Sequence, residues 1–212
     1  MAVTSYIFAG TTTNADRNSS VSWASTDNAK VDDSNFASSN PDKDAYSDWL
    51  RVTNFSMGVP AGATIDGIEV VINRAHATGA MAVDSAVYIR KTSGQVGTNF
   101  ASATAWPTKT PEKETYGGAS ELWGTTWSEA DVNTSDFGLD ISVLGDGDNA
   151  AGHVYYIKIR VHYTAGAGGT NMKINIGDTF KDVDSMKINI GDSWKSVESV
   201  KINVGDVWKT VF

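Results

Sequence analysis

The chain of 212 residues contains no cysteine, so neither a disulfide framework nor a thiolate-held metal is available to it. No apolar run approaches the ~18 residues that a membrane-spanning helix needs, which excludes such a span. The opening Met1-Ala2-Val3-Thr4-Ser5-Tyr6 lacks a basic region followed by an apolar stretch, so no secretory signal is expected. Basic residues are the minority, 17 against 25 acidic, for a net charge of −8. The excess sits before residue 172, because the last 41 residues hold six Lys and six Asp or Glu. An acidic body lacks the basic stripe that displaces counterions from nucleic acid, and it is repelled by an anionic membrane surface. Neither partner is expected.

Motifs of catalysis are missing as well. His76, His153 and His162 are far apart, and none has the His-Glu-x-x-His spacing of a zinc site. There is no Gly-x-Ser-x-Gly elbow and no phosphate-cradling Gly-x-x-x-x-Gly-Lys-Ser/Thr loop. No heptad pattern marks a coiled-coil shaft. The expectation is a protein without cofactor and without enzymatic activity.

What is present begins with a globular composition, 41% apolar and 20% charged, enough for one substantial domain and a small appendix. The appendix is a threefold repeat. Met172-Lys-Ile-Asn-Ile-Gly-Asp-Thr-Phe-Lys is followed 14 residues later by Met186-Lys-Ile-Asn-Ile-Gly-Asp-Ser-Trp-Lys, and again by Val200-Lys-Ile-Asn-Val-Gly-Asp-Val-Trp-Lys. Each copy reads as a β-hairpin: alternation at strand period, then a Gly-Asp turn. A three-residue loop would set Ile176 opposite Phe180, and likewise Ile190 opposite Trp194 and Val204 opposite Trp208. One such hairpin is marginal in water. These six residues are therefore the expected self-association set, packing the repeats into a β-prism-like module completed by other copies of the chain as a homotrimer.

The body, residues 1–163, reads as strands separated by long loops. Residues 1–9 form a first strand, and 10–48 are loop-dominated with Trp23, Phe36 and Tyr46 as anchors. Strands are predicted from Trp49, over 65–74, over 83–91 with Val87 and Ile89 opposite Tyr88 and Arg90, over 137–143, and over 155–163. In the last, Tyr155, Ile157, Ile159, Val161 and Tyr163 share one face, and Tyr156, Lys158, Arg160 and His162 the other. Val59-Pro60-Ala61-Gly62 is a turn, and Ser128 with Asp131 caps a short helical turn at 128–132. Residues 164–171 are a Gly/Ala/Thr linker. The fold class is all-β: a jelly-roll-like antiparallel sandwich followed by the small hairpin module.

Three clusters are candidates for chemistry or binding. Asp146, Asp148 and Asn149 offer hard oxygen ligands in a glycine-assisted loop, a partial calcium site that lacks the later bidentate acid of an EF-hand. Trp106, Tyr116, Trp123 and Trp127 lie in one loop-rich section and could stack on sugar rings, or plug the end of the sandwich. Glu112, Glu114, Glu121, Glu129 and Asp131 could supply a carboxylate pair for glycoside hydrolysis, or simply be solvated charge.

The run Val59-Pro-Ala-Gly-Ala-Thr-Ile-Asp-Gly-Ile-Glu-Val70, with Tyr116-Gly-Gly118, Trp123-Gly-Thr-Thr-Trp127 and Asp131-Val-Asn133, resembles a β-sandwich domain recurrent in virion proteins of tailed bacteriophages. The Lys-Ile-Asn-Ile-Gly-Asp-x-Trp-Lys repeat is similar to short repeats at the ends of phage structural and fibre-like proteins. The resemblance implies a structural protein of the virion: a capsid decoration or cement protein on the head, with the major capsid protein as partner. A tail-tip or tail-fibre protein touching host surface glycan is the alternative, and a carbohydrate-active enzyme the remote one.

Overall fold

The computed structural model describes residues 1–166 throughout. Beyond them it describes the backbone of 173–176, 179–182, 187–190, 193–197, 201–204 and 207–210. The chain divides into two units, Met1–Thr164 and Ala165–Phe212.

The first unit is built from eleven strands. They are β1 (Ala2–Val3), β2 (Ile7–Phe8), β3 (Thr11–Ala15), β4 (Ala37–Ser39), β5 (Trp49–Thr53), β6 (Thr64–His76), β7 (Ala82–Lys91), β8 (Gly94–Val96), β9 (Glu112–Gly117), β10 (Gly138–Gly145) and β11 (Gly152–Thr164). One sheet runs β1-β11-β6-β9, with β2 and β4 also paired to β11; the other runs β3-β5-β10-β7-β8. All these pairings are antiparallel. The order has a simple logic. β1 and β2 pair with β11, β5 with β10, β6 with β9 and β7 with β8, so first meets last and the innermost pair is a hairpin. A ribbon of antiparallel pairs rolled up in this way is a jelly roll, two sheets packed face to face over one core.

The two inner faces supply that core. Ile68, Val70, Ile72, Ile157, Ile159 and Val161 come from one sheet; Leu50, Val52, Val87, Ile89, Leu139 and Ile141 come from the other. All twelve are fully buried. Bulges adjust which residues point inward. The β11–β6 register shifts between Val154 and Tyr156, so Val154 is buried and Tyr155 only half so. The β10–β7 register shifts between Ser142 and Val143, which lets both Asp84 and Val87 face the interior. The helical turn forms as α1 (Glu129–Asn133): Ser128 Oγ accepts from Asp131 N, and the Asp131 carboxylate accepts from Ser128 N, a capping box.

In the second unit each repeat is its own two-stranded antiparallel sheet: β12 (Lys173–Ile176) with β13 (Thr179–Asp182), β14 (Lys187–Ile190) with β15 (Ser193–Ser196), and β16 (Lys201–Val204) with β17 (Val207–Thr210). The register corrects the expected loop. Ile176 pairs with Thr179 and Asn175 with Phe180, so Ile176 and Phe180 are not opposed. Likewise Ile190 pairs with Ser193 and Asn189 with Trp194, and Val204 pairs with Val207 and Asn203 with Trp208. Two-residue connections beginning with glycine match the twist of the flanking strands. That local preference outweighs the apolar pairing that favoured the longer loop.

Candidate functional site

The inward face of β6 carries a charged group near its end. Arg74 continues the series Ile68, Val70, Ile72 and is 1% exposed. A guanidinium there requires partners, because a buried unpaired charge is costly. The β7 bulge delivers one: Arg74 Nη1 pairs with Asp84 Oδ1, the Asp84 side chain being fully buried. Asp84 also accepts from Tyr116 Oη at 2.7 Å, Trp106 Nε1 at 2.8 Å and Ser102 N at 2.9 Å. Arg74 donates in turn to Tyr116 Oη at 2.5 Å and reaches Glu114 at 3.3 Å. Burial, reinforced by the Asp84 charge, pushes the Tyr116 phenol above its ordinary range, so it stays a donor at neutral pH.

This centre decides the fate of the aromatic candidates. Trp106 and Tyr116 are interior members of it. Trp123 is also fully buried, with Nε1 donating to Ile68 O at 3.0 Å and the ring packed on Phe100. Trp127 is half-buried; its Nε1 donates to Leu122 O at 2.9 Å, its ring meets Phe137 edge-on, and Lys91 lies over it. The four do not form an exposed sugar platform, which corrects the glycan reading at these positions. They satisfy their polar tips internally and give their rings to the core. Gly117 shows how tight the packing is. At φ 72°, a Cβ there would run into Ile68 O and come within 2.7 Å of Trp123 Nε1. Gly117→Ala is expected to lower stability by about 1–3 kcal/mol, measured by urea unfolding; an unchanged midpoint would mean that β9 and Trp123 separate freely.

The outer faces are neutralised by arginine. On the β3–β8 sheet, Asp140 has no exposed side-chain surface and is held by Arg51 at 3.0 Å, Arg90 at 2.8 Å and Gln95 at 2.7 Å. On the other sheet, Glu69 accepts from Tyr6 and from Arg160 at 2.9 Å, with His162 at 3.5 Å. Burial opposes ionisation of Glu69, but the hydrogen bonds from Tyr6 and Arg160 outweigh it and hold its pKa below the usual range. Tyr6 is pushed up to about 12 by burial and by the neighbouring carboxylate.

The other sequence candidates stay apart. Asp146, Asp148 and Asn149 are exposed on the β10–β11 connection, where Asn149 bonds to Asn40 and Asp42. Among the described residues no group of three or more His, Cys, Asp or Glu side chains converges on a metal position. Of the loop acids, Asp131 caps α1 and pairs with Lys91 at 3.1 Å, while Glu121 accepts from Trp123 N at 2.7 Å. His76 sits between Ala77 O and Thr108, and His153 stacks on Phe36 at 3.9 Å. Burial, then the proximity of His76, lowers the His153 pKa below 6.5. The unfolded chain therefore binds a proton that the folded one refuses, and stability rises with pH through the window just below 6.5. Acidification from pH 7 to about 5 should lower the melting temperature modestly. The loss should shrink in His153→Phe, and an equal loss in that variant would contradict the assignment.

Sequence reasoning missed Arg74, Asp84, Asp140 and Arg17. For Arg74, Asp84 and Asp140 the only signal was a charge within an apolar strand, and strict alternation would put Asp84 on the outer face with Tyr88 and Arg90; Arg17 stands in a polar loop, which gave no signal. No protein family, curated protein or solved structure matches the chain.

Proposed function

We propose that the protein is a non-enzymatic structural component of a tailed-phage virion. In this reading it is a self-associating decoration or cement protein of the head surface, acting as a homotrimer with the major capsid protein as partner. The observation that carries the self-association is the state of the repeats. Each is a separate two-stranded hairpin, and a lone hairpin is marginal in water. Three such hairpins gain a shared core by packing on one another and on other copies of the chain. The jelly roll serves as a rigid scaffold, and the carboxylates its strands hold support that role. Asp84, Asp140 and Glu69 are each held by arginine, so their charge stabilises the fold rather than a reaction. The virion assignment is supported by the resemblance of residues 59–70 and 116–133, and of the repeats, to phage structural proteins. Immunogold electron microscopy of purified particles tests it. Labelling over the head is the expected result; particles free of label overturn the reading.

A further inference from the structure

We propose that the open cavity beside Tyr46 is a subsite for one neutral sugar ring. The chain after β3 turns back over the outer face of its sheet, and Arg17 is its anchor. Arg17 Nη1 donates to Ser142 Oγ at 2.6 Å and Ser85 Oγ at 2.7 Å. Its guanidinium is stacked between two rings, 4.3 Å from the centre of Trp49 and 4.4 Å from that of Tyr46. Ser19 Oγ donates to Tyr46 O at 2.5 Å and accepts from Val21 N at 3.0 Å, which ties the two loops together. Tyr46 is thus held from one side and from its backbone, yet remains 39% exposed.

An exposed but immobilised aromatic ring has already lost the freedom that binding would otherwise cost. The cavity it lines, with Asn18, Ser19, Ser20, Val21 and Ala45, measures about 220 Å³. That lies below the roughly 300–1,000 Å³ of pockets for drug-sized ligands, so the hollow itself holds one ring. A peptide strand would need a groove or a free sheet edge instead. The lining carries hydroxyls, an amide and a phenol but no charged side chain, so it has no partner for an anion or a cation. An exposed tyrosine bordered by hydroxyl and amide groups matches a pyranose, whose C–H face is apolar and whose rim is hydroxylated. The inference does not rest on the virion assignment, since the site could serve any surface protein.

Saturation-transfer NMR on the full chain with the methyl glycosides of glucose, galactose, mannose and N-acetylglucosamine tests it. At least one should show saturable transfer, and its affinity should fall about tenfold or more in Tyr46→Ala, a loss of about 1.4 kcal/mol or more. Asn18→Gly, which keeps the positive φ of 59° while removing the amide, should weaken it as well. No transfer to any of the four glycosides overturns the proposal, as does binding unchanged in Tyr46→Ala. Should Tyr46→Ala melt early, Asn18→Gly decides: unchanged binding there overturns it.

Discussion

Asp84→Ala is expected to destabilise the Met1–Thr164 unit by about 3–5 kcal/mol, the range for removing one partner of a buried ion pair. The reason is what stays behind. Arg74 is 1% exposed, and without Asp84 its guanidinium keeps the rings of Trp106 and Tyr116 but, as polar partners, the Tyr116 hydroxyl and a 3.3 Å approach to the partly exposed Glu114. Trp106 Nε1 and Ser102 N lose their acceptor at the same time. The double variant Arg74→Met, Asp84→Ala removes the stranded charge and should recover part of the loss, a coupling that a double-mutant cycle reads directly. Urea unfolding of the three variants checks it. A loss below about 1 kcal/mol for Asp84→Ala would place the pair in water rather than in the core.

Trp208→Ala should act on the other unit alone. Phe180, Trp194 and Trp208 occupy equivalent register positions, each opposite an asparagine (Asn175, Asn189 and Asn203). Equivalent positions in three repeats are where a shared aromatic core would form. Truncating a buried Trp costs about 3–5 kcal/mol, and so small a module has little in reserve. The variant should therefore associate weakly and be cut in its C-terminal repeats by protease, while Met1–Thr164 keeps its core and stays folded. Light scattering and limited proteolysis read both. An unchanged oligomer with intact repeats would show that the ring is a surface feature.

The parts of this fold written locally were legible from residues. Of the face read as inward in the last strand, Ile157, Ile159 and Val161 are fully buried, whereas Tyr155 and Tyr163 are only half-buried and Tyr156 and His162 of the opposite face are buried too. Ser128 and Asp131 announced α1 through cap chemistry alone. Bulges were not legible, because inserting one residue depends on the partner strand. At Asp84 that insertion turns inward a residue that strict alternation would put outside. The pairing of β5 with β10 and β6 with β9 joins strands distant in sequence, so alternation supports the all-β class but not which strands meet. The tryptophans at 106, 123 and 127 failed as a binding platform for a related reason. A Trp in a loop looks the same whether its Nε1 bonds to a distant backbone carbonyl or meets solvent, and only tertiary structure supplies Ile68 O to Trp123. In the repeats a turn preference of two residues outweighed the apolar pairing from which the three-residue loop was expected.

The count of this chain per purified virion is the sharpest test of the proposed role as a head decoration protein. Quantitative mass spectrometry against the major capsid protein should find it in many copies, a fixed ratio to the capsid lattice and a multiple of three. Its absence from the particle would contradict the virion assignment, and a handful of copies would contradict head decoration in favour of the tail.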